Sequence, residues 1–506
     1  MSKSATALPV TFALSSESPI PLYRQLYDWL RKAILSGQLQ AGTRLQSTRE
    51  LAAELGVSRN TVLNAFEQLL AEGYLEGQVG AGTFVSHSLP DDMLFTTQKK
   101  SKVVAVSKRG RALSDFGAKL TKPLASDALS NQATVKPFRH GTPALAEFPK
   151  KIWANLLTKH WRKPPLELLT YNDAAGYSPL REAIADYLRA SRAVRCEPEQ
   201  VIIIAGAQQG LDISARLLLN AEDTAWIEDP GYLGARSALI STGAKLVPVP
   251  VDDEGFDVNE AIKLSAKAKL VYVSPSHQYP LGVTMSLTRR LALLEWASRA
   301  GAWIIEDDYD SEYRYAGRPL AALQGLDKEG RVIYIGTFSK VLFPALRIGY
   351  VVAPPDLIDA FTRLRNIQSR FTPSIDQAVV ADFINEGHFH RHLRRMRMLY
   401  RERQEILLDA IQRNLNGLIE AQSHDAGMHV IGWLQGGLSD QSVENFIAKA
   451  GIYAQSLSSL CLRYPRPAGL LMGYAGYNEK QLRAAVRKLA ELLSRANKPQ
   501  SVRKSN

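Results

Sequence analysis

The residues best suited to take part in chemistry follow two apolar runs in the second half of the chain. Lys340 comes just after the run RVIYIGT, and Arg347 stands seven residues further on. Asp307 and Tyr309 come directly after the run AWIIE. An amine for a Schiff base, a carboxylate for a ring nitrogen and a cation for a phosphate are the groups that pyridoxal 5'-phosphate requires.

A third run, VIIIA, ends in Gly206, Ala207 and Gln208, which open a helical stretch. Backbone N–H groups at a helix N-terminus bind phosphate well, so this turn completes the set. A lysine alone at a strand end is equally typical of a surface residue. The combination of amine, carboxylate, arginine and glycine turn therefore carries the prediction of a cofactor site.

These residues need a common scaffold, and the hydrophobic pattern predicts one. The apolar runs, each separated from the next by a helical stretch, are VIIIA, TAWIED, KLVPVPV, KLVYVSP, AWIIEDD and RVIYIGT. Runs buried on both faces predict an α/β domain with a mainly parallel central sheet. Ligands of such sheets bind at the carboxyl ends of the strands, where the candidate residues stand.

Residues 134–495 resemble the fold-type I aminotransferases, with TFSKVLFPALRIGY as the clearest motif. The resemblance implies Lys340 as the Schiff-base lysine and Asp307 as the partner of the pyridine nitrogen. It implies that Tyr309 binds the ring hydroxyl and that Tyr232 stacks on the ring. The remaining implied cofactor contacts are Gly206, Ala207 and Gln208 in the phosphate turn, Arg347 with Thr337 or Ser339 on the phosphate, and Tyr171 reaching the neighbouring subunit's phosphate.

Two positions depart from the aminotransferase pattern. The arginine that holds a substrate carboxylate is replaced by Leu471 in GLLMGYAGY, and Arg463 or Arg466 are the candidates to substitute for it. The asparagine that contacts the ring hydroxyl is replaced within SHQYPLG, which leaves His277, Gln278 or Tyr279 for that role. We expect His277 to be a hydrogen-bonding pocket residue, and we predict no metal site.

Residues 17–86 have the pattern of a DNA-binding domain, an α+β winged helix-turn-helix. An amphipathic helix ends near Gly37, Ser47 begins a second helix with Glu50 in a capping box, and Ser58 opens a third. A glycine-rich hairpin follows and predicts a wing. The arrangement is also that of a three-helix protein-interaction module, and the domain's six Lys/Arg against seven Asp/Glu do not separate the two.

The segment RLQSTRELAAELGVSRNTVLNAFEQLLAEGYLEGQVGAGTFV resembles the GntR family of bacterial regulators, which favours DNA binding. Gln46 stands where that family usually has proline. The resemblance implies that the third helix enters the major groove. The implied DNA contacts are Arg49, Ser58, Arg59, Asn60 and Thr61, with Gly80 at the wing tip.

The surplus of positive charge, +12 in total, is concentrated outside these two domains. Residues 87–133 are predicted to be a flexible basic linker, and residues 496–506 a basic tail. The linker cations either contact DNA phosphates or are simply solvated. Two cysteines, no apolar run of membrane-spanning length and no signal peptide favour a cytoplasmic protein that does not contact membranes.

A GntR-type winged helix joined to an aminotransferase-like domain resembles the MocR family of regulators. The resemblance implies a homodimer that reads an operator with paired half-sites and senses pyridoxal phosphate or an amino compound through an internal aldimine at Lys340. The alternatives are an active aminotransferase with an accessory DNA-binding domain, and a cofactor-free dimerisation domain. The missing carboxylate arginine favours a regulator without full turnover, and the cofactor itself as the signal.

Overall fold

A computed structural model describes residues 14–15, 18–78, 81–89, 113, 117, 136–317 and 320–496. These residues form two compact units, one within residues 1–112 and the other within residues 113–506. Most of the predicted linker, the tail beyond residue 496 and Gly80 lie outside the described residues.

The N-terminal unit contains three helices and a hairpin. They are α1 (Leu22–Leu35), α2 (Thr48–Leu55), α3 (Arg59–Ala71), β1 (Leu75–Gln78) and β2 (Gly82–Val85). The side chain of Ser47 accepts a hydrogen bond from Glu50 N while the Glu50 side chain binds Ser47 N, so the predicted capping box forms. Gly56 then ends α2 in the left-handed conformation.

The helices of this unit share one apolar core, and the hairpin closes over it. Leu30 of α1, Leu51 of α2 and Leu69 of α3 are fully buried within it. The antiparallel strands pair Leu75 with Val85 and Gln78 with Gly82. Three helices followed by a short antiparallel hairpin form the predicted winged helix.

The C-terminal unit alternates helices and strands. Its helices are α4 (Lys150–Arg162), α5 (Leu166–Leu169), α6 (Ser178–Arg192), α7 (Ala207–Leu218), α8 (Leu233–Ser241), α9 (Val258–Leu264), α10 (Leu287–Ala300), α11 (Leu323–Leu326), α12 (Ile358–Ser369), α13 (Ser374–Asn385), α14 (His388–Asn414), α15 (Asp440–Lys449) and α16 (Glu479–Ala496). Its strands are β3 (Val201–Ile204), β4 (Thr224–Asp229), β5 (Lys245–Asp252), β6 (Gly255–Phe256), β7 (Leu270–Val273), β8 (Trp303–Asp308), β9 (Val332–Thr337), β10 (Gly349–Val352), β11 (Ile419–Ala421), β12 (His429–Leu434), β13 (Gln455–Ser456) and β14 (Gly469–Gly473).

The large sheet has the strand order β3-β10-β9-β8-β7-β4-β5-β6. Strands β9, β8, β7, β4 and β5 run parallel, which confirms the predicted mainly parallel sheet. Strand β10 is antiparallel to both β3 and β9 and was not predicted from the sequence. Its residues lie in the apolar run IGYVVA directly after Arg347, which was not counted among the predicted strands.

A second, smaller sheet has the order β11-β12-β14-β13, and its strand pairs are antiparallel. Helices α14 and α16 pack together beside it. Among the described residues, no helix is both long enough and apolar enough to cross a membrane.

Candidate functional site

A cavity of about 520 Å³ lies at the carboxyl ends of β8 and β9, within the size range of small-molecule sites. Most of the predicted cofactor residues line it. These are Ala207, Gln208, Tyr232, Asp307, Tyr309, Thr337, Ser339, Lys340 and Arg347. The fold therefore brings together residues that are up to 140 positions apart in the sequence, because parallel strands end at one edge of the sheet.

Lys340 lies just after β9 and is half-buried in the cavity wall. Its Nζ donates a hydrogen bond to the carbonyl oxygen of Gly141 at 3.1 Å. Burial lowers the pKa of Lys340, while the carboxylates of Asp310 and Asp307 act in the opposite direction. A lowered pKa increases the fraction of neutral amine, which is the nucleophilic form.

Asp307, at the end of β8, has one satisfied and one unsatisfied oxygen. Its Oδ2 accepts a hydrogen bond from the Tyr272 hydroxyl at 2.8 Å, and its buried Oδ1 has no partner among the described residues. Burial raises the pKa of Asp307 to about 6. A buried orphan acceptor that faces a cavity fits the protonated nitrogen of a pyridine ring.

The phosphate cradle forms around the N-terminus of α7. Gly206 precedes this helix with φ +94°, a conformation that residues with a side chain rarely adopt. A Cβ at Gly206 would lie 2.9 Å from the guanidinium of Arg347, so the backbone and the arginine approach as closely as a glycine permits. Backbone N–H groups, a guanidinium and the hydroxyls of Thr337 and Ser339 thus line one end of the cavity.

Of the three candidates for contacting the ring hydroxyl, His277, Gln278 and Tyr279, only Tyr279 lines the cavity. Its hydroxyl lies 3.0 Å from His140 Nε2. His277 contacts Asp310 and the Tyr309 hydroxyl instead, at 3.0 Å each. Gln278 donates to the carbonyl oxygen of Pro230 at 2.9 Å. His277 and Gln278 therefore belong to the layer that supports the cavity wall.

Tyr171 lies away from the cavity within one chain. It is 77% exposed and packs edge-on against Phe371, with the Arg370 guanidinium over its ring. This outward position is the one expected of a residue that contacts a second subunit.

Leu471 and the two arginines proposed to replace the missing anchor are not cavity residues. Leu471 is fully buried in an apolar cluster with Ile431 and Leu457. Arg466 binds the carbonyl oxygen of Val251, and Arg463 is exposed beside Tyr464. The expectation that Arg463 or Arg466 substitutes for the anchor is wrong for this cavity, because their loop packs against β4 and β5.

Sequence reasoning missed one wall of the cavity, formed by residues 139–142 together with His429 and Tyr453. Residues 139–142 follow no apolar run and belong to no helix or strand. The one available signal was Gly141, since its φ of +69° and its contact with Lys340 require glycine. The described residues hold no group of three His, Cys, Asp or Glu side chains arranged to bind a metal.

The predicted DNA contacts lie on the exposed face of the helix-turn-helix. Arg49, Arg59 and Asn60 are exposed, and Thr61 is half-buried. Ser58 is also exposed, but its Oγ accepts the hydrogen bond from Thr61 N at 3.1 Å and so caps α3. The N-terminal turn of α3 therefore presents polar side chains outward while the opposite face is buried.

Comparison with known proteins matches both units to families. Residues 22–85 match "Bacterial regulatory proteins, gntR family", and residues 163–489 match "Aminotransferase class I and II". The chain is 43% identical to the probable rhizopine catabolism regulatory protein MocR of Rhizobium meliloti, over 94% of each chain. It is 32% identical to the pyridoxine biosynthesis regulator PdxR of Corynebacterium glutamicum, over 95% of this chain and 99% of that one.

The large unit is also similar in structure to solved aminotransferases. Kynurenine aminotransferase of Pyrococcus horikoshii superimposes with a TM-score of 0.67 at 27% identity, covering 81% of this chain and 99% of that one. The α-aminoadipate aminotransferase LysN of Thermus thermophilus gives 0.68 at 27% identity, covering 76% and 97%.

The described residues fit pyridoxal 5'-phosphate: Asp307 has a free acceptor for the ring nitrogen, Gly206 and Arg347 form a cradle, and Lys340 supplies the amine. Of these two relatives, each matched over at least 94% of its length, one is a probable regulatory protein and the other a transcriptional regulator by name. The chain therefore belongs to the MocR-type regulators of the GntR superfamily, DNA-binding transcription factors with an aminotransferase-like, pyridoxal phosphate-binding domain.

Proposed function

We propose that this regulator detects its signal through Lys340, and that pyridoxal phosphate or an amine bound there changes the affinity of the winged helix for its operator. The observation that carries the proposal is the cavity itself, in which the half-buried amine of Lys340, an orphan carboxylate oxygen and a phosphate cradle converge. When bound, the cofactor supplies an aldehyde that reacts reversibly with amines. Lys340 and a free amine then compete for one position.

The residues around Lys340 support this role. Burial lowers the pKa of the lysine and Asp310 and Asp307 face it, so its proton can be released and taken up within the cavity. Tyr232, Tyr279 and Tyr309 surround the cavity with aromatic faces. An apolar, aromatic enclosure excludes water and strengthens the polar contacts at its centre.

We propose sensing rather than complete transamination as the use of this cavity. The strand arginine that orients a substrate carboxylate is replaced by Leu471, which packs in an apolar cluster. Turnover requires both an amino acid and a keto acid to be held with the reacting atoms aligned, whereas a signal requires only binding. A ligand changes DNA affinity to the extent that it binds one arrangement of the protein better than another.

We further propose that the chain works as a homodimer on paired half-sites in the bacterial nucleoid. The exposed position of Tyr171 supports a shared active site, in which each subunit contributes this tyrosine to its partner. Two winged helices would then contact two half-sites, with Arg49, Arg59, Asn60 and Thr61 at the DNA and with Ser58 holding the start of α3. Gly80 belongs to the same proposed surface.

The test uses the full-length protein and a library of random duplexes from which bound sequences are selected. We expect paired half-sites to be enriched, and we expect the affinity for a selected duplex to change when pyridoxal phosphate is added to the wild type. Lys340→Ala should remove both this response and the visible absorption band of the lysine-bound cofactor. Without any band in the wild type, the proposed cofactor site would be wrong.

Matched variants separate the two domains. Arg59→Ala should weaken binding to the selected duplex by roughly tenfold or more and leave the absorption band unchanged, since a good base contact contributes about 1–3 kcal/mol. Lys32→Ala, an exposed cation on α1, is the control and should bind as the wild type does. Steady formation of keto acid from added amino acids at rates typical of an aminotransferase would contradict the sensing role.

A further inference from the structure

Arg139 enters the cavity from the segment that precedes α4, on the wall that sequence reasoning missed. Backbone hydrogen bonds fix this segment to the small sheet: Gly473 N donates to Phe138 O at 2.7 Å, and Tyr453 N donates to Pro137 O at 3.1 Å. Phe138 has φ +66°, an unfavourable conformation for a bulky residue. Such strained positions cluster at binding sites, where the surrounding structure compensates their cost.

The same segment meets β14 beside Leu471. Alternate residues of a strand share one face, so Leu471 and Gly473 point to the same side of β14. At Gly473 that side is covered by the backbone of Arg139 and His140, within 2.4–2.7 Å of where a Cβ would stand. Arg139 thus lies next to the strand position from which the usual carboxylate arginine is missing.

The guanidinium of Arg139 lines the same cavity as the reactive amine. It lies over the ring of Tyr453, with 5.9 Å between the guanidinium carbon and the ring centre. Two residues further along, Gly141 contacts Lys340, whose Nζ lies 2.6 Å from the position of a Cβ there. The positive charge of Arg139 also contributes to the lowered pKa of Lys340, as expected of two cations that face one cavity.

The side chains next to Arg139 on this wall are neutral hydrogen-bonding groups. Burial lowers the pKa of His140 to about 3, with the cations Lys340 and Arg139 adding to the effect, so this imidazole is uncharged at neutral pH. Its Nε2 pairs with Tyr279, while its buried Nδ1 has no partner in the described part of the chain. An orphan imidazole nitrogen beside a guanidinium is an additional sign of a polar ligand on this wall.

We propose that Arg139 binds the carboxylate of an amine effector, and so replaces the missing strand arginine as the residue that selects amino acids over plain amines. This inference rests on the proposed function, because it places the amino group of the effector at Lys340. A guanidinium matches the planar geometry of a carboxylate and keeps its charge at every physiological pH. In this role Arg139 contributes affinity and selectivity for the effector.

The experiment uses stable adducts in which an amine is joined to the cofactor by a reduced bond. The probes are N-(5'-phosphopyridoxyl) derivatives of glycine, β-alanine and 4-aminobutanoate, each paired with the derivative of methylamine, ethylamine or propylamine, which lacks only the carboxylate. Binding to the cofactor-free, full-length protein is measured by calorimetry. At one or more chain lengths, we expect the wild type to bind the carboxylate adduct about tenfold or more tightly than its partner.

Arg139→Gln should reduce this preference to less than about threefold, and Arg139→Lys should retain part of it. Arg463→Gln removes an exposed loop arginine outside the cavity and should keep the full preference. Far-ultraviolet circular dichroism and the midpoint of urea unfolding should be the same in Arg139→Gln and the wild type, which reports that the variant is folded. If it is not, Arg139→Met, which keeps the aliphatic stem, takes its place.

The outcomes separate this inference from the proposed function. Failure of the wild type to bind pyridoxal phosphate at all would refute the cofactor site. Cofactor binding with no carboxylate preference at any chain length, or a preference that persists without Arg139, would overturn the inference alone. In the first case the effector would be a plain amine or the cofactor itself, and in the second a residue other than Arg139 would bind the carboxylate.

Discussion

At the scale of single residues, two neighbouring buried carboxyl groups differ because only one of them has a buried cation as its partner. Asp307 and Asp308 are adjacent on β8 and point to opposite faces, as strand geometry requires. Burial raises the pKa of Asp307, which faces the cavity. Burial acts the same way on Asp308, but its buried ion pair with Arg192, at 2.9 Å, holds the pKa below its usual range. Asp307 is therefore poised to receive a cationic ligand, whereas Asp308 already has its partner.

Histidines buried in the neutral state make the large unit sensitive to acid. The pKa of His392 is lowered to about 4 by burial, and its Nε2 lies 3.0 Å from the Val341 carbonyl oxygen. Below about pH 6.5, His392 binds a proton in the unfolded chain but stays neutral in the folded protein. The contribution of His392 to the free energy of unfolding is therefore lost as the pH falls.

His392→Gln tests this effect, because glutamine can still donate to Val341. Between pH 7 and pH 5, the free energy of unfolding of the wild type should fall by about 2 kcal/mol relative to the variant. Urea unfolding followed by near-ultraviolet circular dichroism measures the difference at each pH. A difference that does not vary with pH would show that His392 is not held neutral.

At the scale of elements, the phosphate cradle depends on the junction between β3 and α7. The strand ends at Ile204, and Gly206 turns the chain so that the first N–H groups of α7 face the cavity. Arg347 reaches the same junction from the segment before β10 and donates to Ala205 O. Gly206 has a positive φ and also lies close to the Arg347 guanidinium. A side chain at this position would therefore disturb both the start of α7 and the phosphate contacts.

Gly206→Ala should weaken pyridoxal phosphate binding by about tenfold or more, because the added methyl group displaces Arg347 and strains the turn. Gly436→Ala is the matched control. Gly436 also has a positive φ, +72°, but an added Cβ there meets no atom within 4 Å. The control should lose stability by roughly 1 kcal/mol and bind the cofactor normally. Equal cofactor affinity in both variants would argue against a phosphate site at Gly206.

At the scale of the whole molecule, the large unit exposes apolar side chains around Tyr171. The Tyr171 patch comprises Trp161, Leu166, Leu169, Tyr171 and Ile367, and it borders two depressions that meet at Phe371. Leu166 is 82% exposed and Ile367 is 80% exposed. Clustered exposure of large apolar residues is typical of a protein interface, which supports a homodimer through this face.

If this patch is the dimer interface, Leu166→Glu should shift the protein towards monomers, because it places a charge among apolar side chains. If the partner's tyrosine contributes to the cofactor site, the same variant should also bind pyridoxal phosphate more weakly. Sedimentation velocity and cofactor titration measure the two effects. Leu287→Glu, at another exposed leucine on α10, should change neither. A Leu166→Glu protein that remains dimeric would exclude this patch as the interface.

The sequence was sufficient to predict the local structure and the cofactor. The capping residues Ser47 and Ser58 act within three residues of themselves, so the helices of the winged helix were readable from short patterns. The apolar runs marked the parallel strands; Asp307 lies at the end of β8, Lys340 comes shortly after β9, and Arg347 was identified from the motif that contains Lys340. These signals are local because a capping residue acts within one turn of its helix and a buried strand is marked by its own run of apolar residues.

Only the tertiary structure determined which side chains share the cavity with Lys340. It excluded Arg463 and Arg466, selected Tyr279 from three candidates, and added Arg139 and His140 from a segment without regular structure. Their positions depend on hydrogen bonds and packing between residues more than 300 positions apart, such as that of Gly473 N with Phe138 O. The sequence therefore specified the cofactor through the strand ends, whereas the proposed selectivity for the effector would depend on long-range packing that no local pattern encodes.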